Sequence, residues 1–298
     1  MTPALLRGAT RALLLGASVV VFAACSDVAV DPGADLSEVI ASAEPGAVLE
    51  LAQGRHQGPI TIDKPITIIG GPGAVLEAPD DSPVVTIEDA TSVTLRDVYI
   101  RGGEPGILVR RSEDVRVEGV TVEQALWHGI LVQDSEVHIT DCLVSGLRAP
   151  TPQGIEIINS DARPASTVRG CTIEGPVFEG IAAHVSHVTF ADNEVIGATE
   201  RGIVVTEMSD GRMEGNQVTN SRGAAYFCGD MSNCSVVDNR AEGISAGRGH
   251  ASARGHGVVV HYHSHAFVDG VDGLEVPGER VLLMIGSTLL EEEPIIPR

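Results

Sequence analysis

A short strand pattern, V-x-I-x-[DG]-X-x-[VI], returns through most of this chain, and its spacing constrains the fold more than any other feature. It reads VTLRDVYI around Val98, VRVEGVTV around Val120 and VHITDCLV around Cys142. It continues as TVRGCTI around Cys171, VTFADNEV around Asn193, RMEGNQV around Asn216 and VVDNRA around Asn239. The marker residue advances in steps of 22, 22, 29, 22, 23 and 23. A second series interleaves with it: Gly106-Ile107-Leu108-Val109, Gly129-Ile130, Gly154-Ile155, Gly180-Ile181, Gly202-Ile203 and Gly223-Ala224, in steps of 23, 25, 26, 22 and 21. Self-similarity at this period denotes a solenoid. Two to three short strands per unit, without helical periodicity, make it an all-β, single-stranded parallel β-helix.

Stacking coils about 4.8 Å apart pairs each strand with its equivalents above and below, so equivalent residues form inward ladders. One such column runs Val98, Val120, Cys142, Cys171, Asn193, Asn216, Asn239. Its asparagines can chain amide hydrogen bonds along the stack, which is a structural role. Hydrophobic residues are 43% and aromatics only 3%, so the core must be built from Val, Ile, Leu and Ala. Asp35-Leu36-Ser37-Glu38 has a capping-box pattern, and Leu36, Val39, Ile40 and Ala43 share one helical face. A short helix there would cover the open N-terminal end of the stack.

The formal net charge is −21. That excludes sequence-tolerant nucleic-acid binding, which needs a basic surface. It also repels polyuronates and anionic lipid unless a cation such as calcium bridges the two. Lys64 is the only lysine, so lysine-based catalysis in the coils is excluded.

Arg7 and Arg11 precede an apolar run from Ala12 to Ala24, and Cys25 follows Phe22-Ala23-Ala24 directly. A charged region, a short apolar region and small residues before the cut describe a secretory signal. The cysteine makes it resemble a bacterial lipoprotein signal, with Phe22 where leucine is usual. The expected organisation is a signal peptide over 1–24, a lipidated Cys25 opening a tether over 25–34, the β-helix over 35–290, and an acidic, proline-containing tail over 291–298. The expected location is the bacterial cell envelope, membrane-anchored through the lipid, and the expected state is a monomer.

The segments AVLELAQGRHQGPITIDKPITIIGGPGAVLEA and VVTIEDATSVTLRDVYIRGG resemble the opening of right-handed parallel β-helix repeat proteins. These include β-helix proteins of nitrous-oxide reductase maturation and the wider carbohydrate-binding and sugar-hydrolase group. The resemblance covers residues 35 to 270 and implies a right-handed, pectate-lyase-like solenoid. It says little about activity, because one solenoid hosts many functions. Gly255-His256-Gly257 matches the short GHG element of polygalacturonases, but their N-T-D and R-I-K elements are absent. The D-P-H-D element of mannuronan epimerases is also missing. No complete catalytic signature is present.

Outward positions of successive coils form a face. On the G-I-x-V strand the residue before the glycine points outward, which places His128, Gln153, Glu179, Arg201, Arg222 and His256 in one row. Glu156 and His184 fall on neighbouring rows, with Trp127 and Phe178 nearby. Carboxylates, imidazoles and guanidiniums on one face are what polysaccharide cleavage or epimerisation requires, with Trp127 and Gln153 as substrate contacts. The competing reading is a solvated face of incidental ion pairs such as Glu179–Arg201, each contributing roughly 0–1 kcal/mol.

Five of the ten histidines fall between His250 and His265. On an extended strand His261, His263 and His265 would share a face, and His250 or His256 folding back would complete a site for copper or zinc. Cys228 and Cys234 are spaced to close a small disulfide loop, while Cys142 and Cys171 stack in adjacent coils. The expected function is recognition or processing of a glycan at the envelope. The alternatives are a metal-handling maturation factor and a non-catalytic envelope scaffold.

Overall fold

The computed structural model describes residues 27–161, 165–248 and 254–296. It is a pectate-lyase-like parallel β-solenoid of about 11 turns. All inter-coil strand pairs are parallel and largely in register, for example Val93↔Val115↔Val137 and Ile130↔Ile155↔Ile181↔Ile203. Those columns point inward and are fully buried. The helix Leu36–Ser42 is capped by Asp35, whose carboxylate accepts from Glu38 N–H, and it buries Leu36 and Ile40 against the first coil.

The solenoid begins earlier than the expected tether allows. Strand Asp27–Val30 already pairs in parallel with Ala47–Leu51, so residues 27–30 belong to the first coil. The acidic tail is also docked. Glu293 reaches back along the stack to pair with Arg212 and accepts from the Ser235 hydroxyl at 2.6 Å. Cys25 and the signal segment lie outside the described residues.

The asparagine ladder is present. Asn193 Nδ2 donates to Asn216 Oδ1 at 2.9 Å, and Asn216 Nδ2 donates to Asn239 Oδ1 at 2.9 Å. Each amide also donates to a backbone carbonyl of the preceding coil, those of Val168, Phe190 and Met213. A second polar ladder was not expected from the sequence. At another corner Ser186, Ser209, Ser232 and Ser264 are buried, each passing its backbone N–H to the next coil's serine hydroxyl at 2.9–3.2 Å. Both ladders supply hydrogen bonds where the chain bends and backbone groups leave the sheet.

The serine corner also explains the change of period. One left-handed residue precedes the serine in the earlier coils, at Arg111, Asp134, Asn159 and Val185. Two precede it later, at Glu207-Met208, Asp230-Met231 and Tyr262-His263. The extra residue turns steps of 22 into steps of 23. Cys228 and Cys234 flank this corner, both inward, and are joined by a disulfide. Cys142 and Cys171 stack as buried free thiols.

Candidate acid–base site on the outer face

The strands that carry the site bend at glycine. A Cβ on Gly180 would come within 2.7 Å of the Gly202 carbonyl and 2.8 Å of Val195 Cγ2. On Gly202 it would meet Val218 Cγ1 at 2.6 Å. At these two positions a side chain would collide with the neighbouring coil, and glycine avoids the clash. The bend leaves the residue before each glycine outside and puts both the glycine and its successor inside.

The register places His128, Gln153, Glu179 and Arg201 in one outward column. The expected row fails at Arg222. Ala224 pairs with Arg201, and His256 pairs with Ala224. Gly223 sits at the turn with φ +82, and Ala225 occupies the glycine place, its carbonyl 2.5 Å from a Cβ built on Gly202. Arg222 is therefore two residues upstream and exposed, away from the column.

Glu156 is the centre of the cluster. His128 Nε2 lies 2.9 Å from its Oε2, and His184 Nε2 lies 3.3 Å from its Oε1. Burial raises the Glu156 carboxyl, but hydrogen bonds from His128 and His184 overcome that and hold it at about 2. Burial opposes the charged form of His184, yet the bond to Glu156 and the charges of Glu156, Glu179 and Glu207 raise it overall. Beside them, Arg201 Nη1 pairs with Glu179 Oε1 at 2.8 Å, and Gln153 Nε2 donates to Glu179 Oε2 at 3.2 Å. Burial nevertheless pushes the Glu179 carboxyl upward, against the pull of Arg201. Two carboxyls on one face are thus driven in opposite directions, the pattern that assigns acid and base roles.

Residues outside the expected set complete the cluster. The Thr206 hydroxyl lies 3.0 Å from His184 Nδ1, Glu104 lies 3.9 Å from His128 Nδ1, and the Arg201 guanidinium sits 4.3 Å over the Phe227 ring. Thr206 stands in the His184 column and could have been found from the 22-residue step alone. Trp127 is 39% exposed at the edge of the site. Two buried polar atoms here, His128 Nδ1 and Gln153 Oε1, have no protein hydrogen-bond partner.

The C-terminal histidines do not converge as expected. Tyr262 and His263 are both left-handed, at φ 49 and 55, so residues 261–263 form a turn, and of His261, His263 and His265 only the last lies in a strand. His265 Nδ1 pairs with the Thr288 hydroxyl at 2.7 Å, and His256 Nδ1 accepts from Glu279 N–H at 2.9 Å. Among the described residues no three His, Cys, Asp or Glu side chains are arranged to hold a metal ion. His250 lies outside the described residues.

A sequence model described as right handed beta helix region matches residues 105–271. The chain belongs to this family. This β-helix is similar in structure to the alginate lyase from Paenibacillus sp. str. FPU-7, with TM-score 0.61 and 14% identity over 87% of this chain and 98% of that one. It is also similar to the polygalacturonase from Erwinia carotovora ssp. carotovora, with TM-score 0.59 and 10% identity over 90% and 93% of the two chains. The family 28 exopolygalacturonase of Yersinia enterocolitica gives TM-score 0.58 and 11% identity over 90% and 79%. At these identities the likeness is one of fold. No protein of curated function matches this β-helix in sequence.

Proposed function

We propose that this β-helix binds a glycan across its outer face and processes it by proton transfer at His128, Glu156 and His184. The observation that carries the reading is the single Glu156 carboxylate shared by two part-exposed imidazoles. An ionised carboxylate fixes each ring with Nε2–H toward it and leaves His184 Nδ1 facing the Thr206 hydroxyl. His184, raised above its ordinary value by the bond to Glu156 and by its acidic neighbours, is the proton donor and acceptor. Arg201, oriented by Glu179, supplies positive charge for negative charge developing on the substrate. Trp127 offers an exposed ring face for a sugar to stack on. The structural likeness to lyases and hydrolases of polysaccharides supports a glycan as the ligand class.

The test is an assay of purified protein, without added metal, against neutral and uronic polysaccharides, scoring reducing ends and unsaturated products. Turnover is expected on at least one of them, and His184→Ala should lower it roughly 10²–10⁴-fold. Glycan binding without turnover would replace this reading with a non-catalytic binding module. The export reading of residues 1–25 places the activity at the cell envelope. It is tested by membrane fractionation of wild type and Cys25→Ser, with the wild type expected in the membrane fraction.

A further inference from the structure

An open cleft of about 450 Å³ lies on coils N-terminal to the acid–base cluster, lined by Glu77, Asp80, Asp81, Arg101, Gln124 and Arg148. Its volume is in the range of small-ligand sites. The chemistry of its walls is mixed. Arg148 Nη2 pairs with Asp81 at 2.9 Å while its Nε donates to the Gln124 carbonyl at 2.8 Å. Arg101 lies over the Tyr99 ring and 3.9 Å from Glu123, and its Nε–H is buried without a partner. The Asp80 carboxyl is held below its ordinary value by hydrogen bonds from Ser82, so it remains an acceptor.

The cleft and the cluster share a wall. Gly102 and Gly103 line the cleft. The Gly103 carbonyl accepts from Leu126 N–H at 2.9 Å, next to Trp127. Glu104 follows at once and reaches toward His128. Asp81 is close enough to join burial in raising the Glu104 carboxyl.

We propose that this cleft is a glycan subsite that seats an uncharged sugar unit of the polymer whose reacting unit lies at His128, Glu156 and His184. The inference rests on the glycan-processing reading above. Glu77, Asp80, Asp81 and the adjoining Glu123 outnumber Arg101, Arg148 and Arg55, the last already paired with Glu77, so an acidic sugar would be repelled. Sugar hydroxyls donate to Glu77 and Asp80, while a ring or glycosidic oxygen accepts from the part-exposed Arg101 guanidinium.

The experiment titrates the full chain calorimetrically with cello-, xylo-, manno- and maltohexaose, their disaccharides, and hexagalacturonate. At least one neutral hexasaccharide should bind more tightly than its disaccharide. Arg148→Ala and Asp80→Asn/Asp81→Asn should each weaken that binding tenfold or more. Arg96→Ala, on the other sheet, should bind as wild type does. Unchanged affinity in both cleft variants, preference for hexagalacturonate, or no neutral hexasaccharide bound at millimolar concentration would each overturn the proposal. Turnover is scored separately on the same samples. Cleft-dependent binding without turnover leaves the subsite standing and removes the catalytic reading, whereas turnover indifferent to the cleft variants does the reverse.

Discussion

His184 Nε2 lies 3.3 Å from Glu156 Oε1, although the two residues come from different coils and different outward columns. Their protonation is linked to stability with opposite signs. Glu156 sits at about 2 instead of its ordinary 4.5, so its contribution is present above 4.5 and is lost as pH falls toward 2. At neutral pH it amounts to about 3 kcal/mol. His184 is raised from 6.5, so its contribution is complete below 6.5 and is lost as pH rises through the higher value.

Replacing Glu156 by Gln should therefore flatten the acid limb of stability and lower the His184 titration midpoint. Urea denaturation between pH 3 and 8 reads the first effect, and NMR titration of the His184 ring reads the second. A His184 midpoint unmoved in Glu156→Gln would dismiss the pairing.

Glu179 is almost wholly buried and depends on Arg201 for its counter-charge. Arg201→Met should cost about 3 kcal/mol, because it strands a buried carboxylate. Adding Glu179→Gln should recover most of that loss, since the stranded charge is then gone. Equal destabilisation in the single and double variants, by thermal unfolding, would count against this account.

Asn216 both donates and accepts along its ladder. Asn216→Ala should destabilise by about 3 kcal/mol or more, because several buried groups lose partners at once. Asn216→Asp should cost at least as much at neutral pH, through burial of a charge. Urea midpoints of the two variants check both expectations.

Val185 holds φ 49 and is 40% exposed, a left-handed conformation that β-branched residues rarely adopt. Asparagine fills the same corner one coil earlier, at Asn159. Val185→Asn should raise stability by about 1 kcal/mol, since the strain is relieved and little packing is lost. A lower melting temperature in that variant would show that the Val185 side chain contributes packing worth more than the strain.

Much of the cluster was legible because, in a parallel solenoid, a fixed sequence step becomes spatial adjacency. Counting 22 to 26 residues brought His128, Gln153, Glu179 and Arg201 into one column. The same counting failed at Arg222, where Gly223 imitated the bend glycine that Ala225 replaces. It failed again at His261 and His263, because an αL-αL turn interrupts what alternation alone reads as a strand.

By itself, the sequence determined the coil period, the asparagine column and the placing of His128, Gln153, Glu179 and Arg201 in one outward column. Those follow from repetition, which parallel stacking converts into contact without further information. Only the tertiary structure decided that Glu156 is shared by two histidines from neighbouring columns, and that their hydrogen bonds pull the Glu156 carboxyl down against burial while burial pushes the Glu179 carboxyl up. Both depend on side-chain reach between columns and on how much water each carboxylate keeps. Neither quantity is carried by a one-dimensional step, because it is set by the width of the bend at each glycine and by the bulk of the residues packed around it.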